Sequence, residues 1–339
     1  MNRERFETVT ARYAGLRIAV VGDFCLDRYL EIDPAKAETS IETGLPVYNV
    51  VRVRNQPGAA GTILNNLVAL GVKTVYPIGF AGEDGEGYEL LRSLREKRGV
   101  NLDFFLRTPD RRTFTYCKPL IVAPAQTPLE LNRLDSKNWT PTSAKVAAQL
   151  SDYVEAVSSQ VDATIVMDQV DIAETGVVTH RLLERIGELS KSRSEALFIA
   201  DSRQRLKDFP PLCFKMNVAE LARLAGEALP LRLDDIRTEA AALARKNGRP
   251  VFVTMAEQGV LGAAASCEVE HVSALPVRGE IDVVGAGDAV TANLTCALSS
   301  GANMREALEL ANAAASIVIH QLGTTGTAEV AQLRTALSV

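Results

Sequence analysis

A short run of small residues in the C-terminal part of the chain carries an aspartate at each end. It reads Asp282-Val-Val-Gly-Ala-Gly-Asp288, and an apolar stretch with helical spacing follows it. Glycines at a turn let the backbone approach a ligand closely, and the first amides of a helix have no partners, so together they can bind an anion. A carboxylate beside such a site can take a proton from a hydroxyl group. These are the parts that phosphoryl transfer requires.

Two other interpretations of this run involve no phosphoryl transfer. A Gly-x-Gly spacing also occurs in dinucleotide-binding sites, but those need a βαβ unit, whereas two predicted helices follow here. An aspartate that caps an ordinary helix after a glycine turn explains the run without a ligand, and the run alone favours this interpretation. The pattern G-x-x-x-x-G-K-[ST] does not occur in the chain, so a nucleotide would not be bound by a P-loop.

Short apolar runs alternate with amphipathic stretches along most of the chain. The predicted strands are 16–21, 74–78, 164–167, 197–200 and 251–254. The predicted helices between them are 63–70, 85–97, 142–157, 179–192 and 233–246, and a strand pair around 251–263 precedes two long helices, 288–299 and 304–320. This alternation predicts an α/β fold in which helices cover both faces of a mostly parallel, doubly wound sheet. We expect one domain spanning residues 1–339.

Residues 30–53 and 112–135 interrupt this alternation because they are rich in Thr, Val, Pro and Leu and lack helical periodicity. Both segments are predicted to be extended, and strands that leave an α/β body indicate a small β-lid over a site. Leu45, Val50 and Phe114 are among the apolar residues expected to be buried on alternate faces of this lid. Two hairpins at the edge of the main sheet fit the pattern about as well.

Further motifs precede the glycine run, in order along the chain. Asp27 comes just after the first predicted strand, at the end where α/β proteins bind ligands. A glycine turn then leads into a helix at 57–71, and Asn217 and Glu220 stand three residues apart after a later strand. Thr254 and Gly259 flank the next turn. Taken singly, Asp27 could be a turn residue, and Glu220 could be a carboxylate that stabilises a helix start.

This ordered set resembles the ribokinase-like (PfkB) family of carbohydrate kinases over residues 16–327. Within the family, the finer match is to the kinase half of bacterial heptose-phosphate kinase/adenylyltransferases, and it is carried by 20–29, 42–47, 132–135 and 201–203. The resemblance implies a ribokinase-like sheet with a small β-lid. It also implies transfer of phosphate from ATP to a hydroxyl of a sugar or sugar phosphate. The kinase motifs occupy almost the whole chain, so no adenylyltransferase half is expected in it.

The resemblance also implies roles for individual residues. Asp288 corresponds to the family's general base, and the amides of Gly285, Ala286 and Gly287 correspond to its anion hole. Mg²⁺ and the phosphates would be organised by Asn217 and Glu220, largely through water. The remaining nucleotide contacts would be Thr254, Glu257, Gly259 and Asn312, with a monovalent cation near Asp282. The acceptor would be bound by Asp27, Gly58, Ala59 and Thr62.

Four positions depart from the family's pattern. Ala59 replaces the second glycine of the acceptor loop, and Thr62 replaces its asparagine. On the nucleotide side, Ala256 replaces a glycine, and Val284 stands where threonine is common. The catalytic end therefore matches better than the acceptor end. A catalytically silent relative that binds a metabolite or partner, and a kinase of a non-sugar alcohol such as a nucleoside, both remain open.

Composition excludes several other classes of protein. The chain has 339 residues, of which 47% are hydrophobic and 23% charged, as in a globular protein with a large core. Its net charge of −5 is not that of a nucleic-acid binder. Five scattered cysteines without a C-x-x-C pair predict buried free thiols. The chain shows no apolar run long enough for a signal peptide or membrane span, so we expect a cytoplasmic location, no membrane partner and a homodimer formed through the lid.

Overall fold

The computed structural model describes residues 1–123, 127–203 and 205–339, and within them nine strands form the main sheet. In chain order these are β1 (Arg17–Gly22), β6 (Thr74–Gly82), β7 (Phe105–Thr108), β11 (Ala163–Asp168), β12 (Leu197–Ser202), β13 (Cys213–Asn217), β14 (Val251–Thr254), β15 (Val260–Ala263) and β16 (Val269–Val272). Their spatial order is β16-β15-β14-β13-β12-β11-β1-β6-β7. The sheet is parallel from β14 to β7, and β15 and β16 are antiparallel.

Helices cover both faces of this sheet. One face carries α1 (Arg3–Thr10), α2 (Ala60–Ala69), α3 (Gly85–Arg95), α8 (Ala286–Ser299), α9 (Met304–Val318) and α10 (Val330–Leu337). The other face carries α4 (Ala144–Ser158), α5 (His180–Ser192), α6 (Val218–Ala225) and α7 (Leu233–Asn247). The predicted doubly wound fold is therefore confirmed.

Strand β1 shows why the central strands are apolar at every position. Val20 packs into the core on one face of the sheet and Val21 into the core on the other, and neither side chain is exposed. A strand with helices on both sides has no solvent face, so it reads as a continuous apolar run rather than an alternating one. The carboxyl ends of these parallel strands meet at one edge of the sheet, where their terminal polar residues lie close together.

A second sheet lies outside the main one. It is built from β2 (Phe24–Ile32), β5 (Val50–Ala59), β8 (Phe114–Ile121), β9 (Leu129–Glu130) and β10 (Leu134–Ser136), and a short pair, β3 (Glu38–Thr39) and β4 (Pro46–Val47), stands beside it. Strand β2 pairs antiparallel with β5 and parallel with β8. The alternative of two hairpins on the main sheet is therefore wrong. Residues 124–126 of the second predicted lid segment lie outside the described residues.

The burial expected for the apolar lid residues is only partly correct. Phe114 is buried at the base of the lid, whereas Leu45 is 64% exposed and Val50 is 43% exposed. Leu45 lies in the turn before β4 and Val50 begins β5, and both side chains stay in solvent. Among the cysteines, four are buried free thiols as expected, but Cys267 is exposed.

No helix in the described part of the chain combines the length and the apolar character needed to cross a membrane.

Candidate active site

The ends of two adjacent strands bring a carboxylate and an ammonium group together. Asp201 on β12 lies opposite Lys215 on β13 in the parallel register. The Lys215 Nζ donates a 2.8 Å hydrogen bond to Asp201 Oδ2, and both residues are buried. A buried lysine without a partner would tend to lose its proton, but the Asp201 charge and hydrogen bond raise the pKa of Lys215 despite burial. Lys215 therefore remains a cation inside the protein.

The first turn of α8 places Asp288 next to the Asp201–Lys215 ion pair. The helix begins at Ala286, and its N-cap is Gly285, which has a φ of +83° and no capping side chain. The alternative in which Asp288 caps the helix is therefore wrong, because Asp288 is the third helical residue. Its carboxylate is half-buried and lies close enough to Asp201 and Lys215 to feel both charges.

The surroundings of Asp288 move its pKa towards neutrality. Burial raises the pKa most, the negative charge of Asp201 raises it further, and Lys215 and Arg203 oppose both effects, so that the pKa is raised to about 7. A general base works best when its pKa lies near the working pH, since it is then unprotonated yet still a strong proton acceptor. Asp288 fits that requirement.

Space, rather than backbone conformation, explains the second glycine of the run. A Cβ placed on Gly287 would lie 2.9 Å from Lys215 Nζ, so the ammonium group fills the volume that a side chain would need. Thr291, one turn further along α8, adds a 3.1 Å hydrogen bond from its hydroxyl to Asp201 Oδ2. The first turn of α8 is thus fixed directly against a buried cation. The Ala286 amide donates a 3.3 Å bond to Val283 O, and the amides at this helix start together with the cation favour an anion.

The loop after β12 is anchored by a second buried carboxylate. Asp168 at the end of β11 accepts a 2.7 Å bond from Arg205 Nη2 and another of 2.7 Å from the Ser202 hydroxyl. This pair of bonds fixes the chain on both sides of Arg203, whose exposed guanidinium acts on Asp288.

Asn217 and Glu220 have a structural role at the start of α6. The Asn217 side chain accepts from the Glu220 amide at 2.9 Å, and Glu220 Oε2 accepts from the Asn217 amide at 2.7 Å. This reciprocal capping box supports the plain interpretation of Glu220 as a helix-start carboxylate. Burial and the neighbouring Asp201 also raise the pKa of Glu220, so it belongs to the same group of charges.

On the acceptor side, Asp27 lies within β2 and not in a turn after a strand end, which corrects the alternative interpretation of this residue. Its carboxylate is buried, and Lys118 Nζ on β8 lies 3.8 Å from Oδ1. Burial raises the pKa of Asp27, and the charge of Lys118 opposes the shift. A Cβ on Gly58 would lie 2.7 Å from Asp27 Cγ, so only glycine fits over this carboxylate.

The two departures in the acceptor loop have different consequences. Ala59 adopts a φ of +53° and ψ of −117°, a backbone conformation that favours glycine. Thr62 is buried, and its Cγ2 lies 3.5 Å from the position of a Cβ on Gly285. The acceptor loop therefore contacts the anion-hole turn directly, even though more than 200 residues separate them in the chain.

The residues predicted to contact the nucleotide lie on β14, in the turn after it and on α9. The Thr254 hydroxyl bonds to Met216 O at 3.3 Å, next to the capping box of α6. Gly259 has a φ of +92°, and Glu257 is exposed in the turn that precedes it. Asn312 on α9 is buried and donates a 2.9 Å bond to Ser273 O, so in this structure it anchors the loop after β16.

Asp282 is placed in the same loop, at its other end. Its Oδ1 accepts a 3.0 Å bond from the Val284 amide, and its own amide bonds to Ile319 O at 2.8 Å. Asp282 therefore shapes the turn that leads into Gly285.

Sequence reasoning assigned no role to four residues that the fold brings to the site, which are Asp201, Arg203, Lys215 and Thr291. Asp201 and Lys215 carried a usable signal, because each is a charged residue at the carboxyl end of an apolar strand. Arg203 belongs to the segment 201–203 that carried the family resemblance, although no role was assigned to it, and Thr291 carried no signal because a threonine in an apolar helix is common.

The donor set fits Mg²⁺ that is held mainly by phosphates and water. Carboxylates from Asp201, Asp288 and Glu220 share the field of one lysine, and oxygen ligands of this kind suit magnesium. Among the described residues, no cluster of three acidic, histidine or cysteine side chains could hold an ion by itself. Magnesium usually reaches such sites together with a nucleotide.

Curated proteins of similar sequence match most of this chain. The bifunctional protein HldE of Pelobacter propionicus is 30% identical over 331 residues, which cover 96% of this chain and 64% of that protein. HldE of Helicobacter pylori strain Shi470 is 29% identical over 313 residues, covering 91% of the chain and 64% of its own length. The chain thus spans less than two thirds of the curated relatives that it matches.

Solved structures share the fold at low sequence identity. Arabidopsis thaliana ribokinase, solved with ribose and ATP, has a TM-score of 0.68 at 18% identity and covers 96% of this chain and 99% of its own. Escherichia coli phosphofructokinase-2, solved with potassium, has a TM-score of 0.72 at 17% identity, with coverages of 95% and 98%. The model of the pfkB family of carbohydrate kinases matches residues 17–331. The chain belongs to the pfkB family of carbohydrate kinases.

Proposed function

We propose that this kinase transfers the γ-phosphoryl group of ATP to a hydroxyl of a sugar or sugar phosphate, with Asp288 as the general base. The observation that carries the proposal is the position of Asp288. Its carboxylate lies beside Lys215 in the first turn of α8, and its surroundings raise its pKa to about 7. Asp288 takes the proton of the acceptor hydroxyl as its oxygen attacks the γ-phosphorus, and ADP leaves. The protonated carboxyl group then returns its proton to solvent.

The transferred group is stabilised by the amides of Gly285, Ala286 and Gly287 together with the Lys215 ammonium. Charge on the phosphoryl oxygens is the main barrier to this reaction, so fixed donors and a cation lower it. Asn217 and Glu220 would hold magnesium mainly through water, and the ion would supply positive charge that offsets the charge of the phosphates. Thr254, Glu257, Gly259 and Asn312 border the nucleotide, and a monovalent cation near Asp282 would stabilise the turn before the anion hole.

The acceptor binds between the lid and the carboxyl ends of the main strands. Asp27 accepts hydrogen bonds from its hydroxyls, Gly58 leaves room for the ring, and Ala59 and Thr62 form the wall of the site nearest to the anion hole. The contact between Thr62 and the Gly285 turn supports this arrangement, because it sets the acceptor loop directly beside the phosphoryl site.

A panel of acceptors tests the proposed function directly. ADP release is measured with Mg-ATP against sugars, sugar phosphates including a heptose phosphate, and nucleosides. Turnover with a sugar or sugar phosphate is expected, and turnover restricted to nucleosides would replace the sugar with a non-sugar alcohol. A chain that binds these compounds and releases no ADP above background would be the silent relative.

Asp288→Asn then tests the base. The amide keeps the shape of the side chain but cannot take a proton, so turnover should fall by about 10²–10⁴ while ATP affinity changes little. Because Asp288 does not cap α8, the substitution should leave the melting temperature nearly unchanged. The control is Glu280→Gln, which neutralises an exposed carboxylate in the preceding loop and should leave turnover intact. Turnover of Asp288→Asn close to that of the control would contradict the assignment of the base.

A further inference from the structure

The loop after β12 and the first turns of α6 place three cations around one cavity. The cations are Arg203, Lys207 and Arg223, and we call the cavity between them the basic cleft. Its volume is about 110 Å³, whereas one water molecule needs roughly 10–15 Å³ of such space. The cleft therefore has room for a small polyatomic ion.

Within the parts of the chain that the structure describes, none of these three cations forms an ion pair with a carboxylate. The buried carboxylates at the ends of β11 and β12 are already paired, Asp168 with Arg205 and Asp201 with Lys215. Glu220 is the only carboxylate in the lining of the cleft, and one of its oxygens is used in the capping box of α6. Three positive charges thus face one negative charge, and a bound anion would relieve the repulsion between them.

The backbone that carries these cations is fixed. Arg223 Nη1 donates a 2.8 Å hydrogen bond to the Arg203 carbonyl, which ties α6 to the loop after β12. Lys207 lies in a short 3₁₀ turn, Leu206–Asp208, and the buried side chain of Leu206 anchors this turn in the core. Binding of a ligand would therefore order the ends of the side chains but not the loop, which keeps the entropic cost low.

The basic cleft borders the proposed phosphoryl-transfer site. Glu220 lines the cleft, and the charges of Asp201 and Lys215 act on it. Arg203 lines the cleft as well, and its charge acts on Asp288. The residues assigned to the acceptor come from β2, β5 and α2, and none of them lines the cleft. The cleft therefore lies on the nucleotide side of the site.

The chemistry of the cleft favours a phosphate group as its occupant. A guanidinium group can donate two parallel hydrogen bonds to a phosphate, and an ammonium group adds a compact positive charge. Leu206 and Leu224 supply the apolar part of the lining and offer no hydrogen bonds. An excess of two positive charges suits a doubly charged phosphate better than a singly charged carboxylate.

We infer that the basic cleft binds a phosphate group that is not itself transferred, either from the phosphate chain of a nucleotide or from free phosphate. The inference goes beyond the proposed function, which assigns no ligand to Lys207 or Arg223 and places the transferred group at the first turn of α8. Binding in the cleft requires no turnover, so it can be measured by itself.

Calorimetric titration of the full chain with inorganic phosphate tests the cleft. The wild type should bind phosphate saturably, and Lys207→Gln/Arg223→Gln should bind it at least about tenfold more weakly. The matched control is Arg245→Gln/Lys246→Gln, which removes two exposed cations from the last turn of α7. Because α7 ends just before β14 begins, these two residues lie at the opposite edge of the sheet from the cleft, and the control should bind as the wild type does.

Lys207→Glu separates charge from loop geometry. This variant keeps the bond from Arg223 to the Arg203 carbonyl and changes an exposed side chain, so it should fold as the wild type does and still lose phosphate affinity. A loss in the double variant that Lys207→Glu does not share would overturn the cleft, since the effect would then come from the broken bond. Phosphate affinity in both variants equal to that of the control would overturn it too, as would a wild type that binds no phosphate.

Titrations with ADP and adenosine identify the source of the phosphate. If the nucleotide supplies it, Lys207→Gln/Arg223→Gln should weaken ADP about tenfold and leave adenosine unchanged. If free phosphate is the ligand, ADP affinity should stay constant, and the ADP-saturated wild type should still bind phosphate. Both outcomes support the cleft.

The cleft and the proposed function can fail separately. Phosphate binding that depends on Lys207, in a chain that turns over none of the acceptors, would support the cleft and contradict the proposed reaction. An active kinase whose phosphate affinity is the same in Lys207→Glu and in the wild type would overturn the cleft and leave the proposed reaction intact.

Discussion

Asp288 can act as a base near neutral pH because charges of both signs surround it. Burial and Asp201 stabilise the protonated form, whereas Lys215 and Arg203 stabilise the carboxylate. A lone carboxylate in water has a pKa near 3.9 and would be a weak proton acceptor, and a fully buried one without Lys215 would hold its proton too firmly. The balance between these neighbours sets the working range of the residue.

This balance predicts the pH dependence of the reaction. The base must be unprotonated, so kcat/KM should rise with pH through about 7. Asp201→Asn removes a negative charge that raises the pKa of Asp288, and Asp288 then becomes the main carboxylate partner that keeps Lys215 charged. Loss of the repulsion from Asp201 lowers the pKa of Asp288, so the rising limb of the profile should move to lower pH.

Profiles of the wild type and Asp201→Asn, measured with the same acceptor and Mg-ATP, test this expectation. ATP ionises identically in both experiments, so the difference between the two profiles belongs to the protein. A limb that stays in place, or moves to higher pH, would contradict the proposed coupling between Asp201 and Asp288.

At the scale of elements, the start of α2 carries backbone strain. Its N-cap, Ala59, adopts a φ of +53° and a ψ of −117°, the conformation that the first central residue of a type II′ turn requires and that glycine provides. A residue with a side chain in such a region costs about 1–3 kcal/mol. The strain lies in the acceptor loop, directly after the glycine that covers Asp27.

Ala59→Gly should therefore stabilise the protein. Glycine relieves the strain in the folded state. It also raises the conformational entropy of the unfolded chain, which offsets about 0.4–1 kcal/mol of that stabilisation, so the melting temperature should rise by about 1–3 °C. The control is Ala60→Gly, at the first helical position of α2, where glycine brings no relief and should lower the melting temperature. A fall for both variants in thermal unfolding would show that Ala59 is unstrained.

At the scale of the whole molecule, the lid and the loop between β2 and β5 expose several apolar side chains. Among the described residues these include Ile41, Leu45, Tyr48, Val50, Val51 and Val53, of which Val51 and Val53 share one face of β5. A surface of this kind on a sheet is stabilised by pairing with another copy of itself, since a twofold dimer buries the same patch on both chains. The homodimer expected from the sequence would bury these side chains.

The double substitution Val51→Lys/Val53→Lys tests the dimer. The two residues stand two apart on β5 and so share a face, and paired lysines would repel the same residues of a second chain. The wild type should sediment as a dimer of the 36.6 kDa chain and the variant as a monomer. Leu229→Lys, at an exposed site between α6 and α7, should remain a dimer. A monomeric wild type would contradict the lid interface.

Much of the fold could be predicted from the sequence because burial determines the pattern of apolar and polar residues within each segment. A strand covered on both faces is a continuous apolar run, as in β1 from Ile18 to Val21, and a helix on a sheet repeats its apolar residues with its own period. Glycine turns are also local, and their order along the chain supported the family resemblance that named Asp27, Gly58 and Asp288 without coordinates. The N-cap of α8 could not be identified from the sequence, because Gly285 and Asp288, three residues later, both suit the start of a helix.

Other features depend on segments that are far apart in the chain. The parallel pairing of β2 with β8 was decided by the tertiary fold. The same is true of the close approach of Lys215 to Gly287, which adds lack of space to the reasons for a glycine at this position. The sequence determined which residues can ionise, form hydrogen bonds or give the backbone extra freedom at each position. Only the tertiary structure decided which charges share a buried space, and that sharing sets the pKa of Asp288, because electrostatic energy depends on distance and burial and not on separation along the chain.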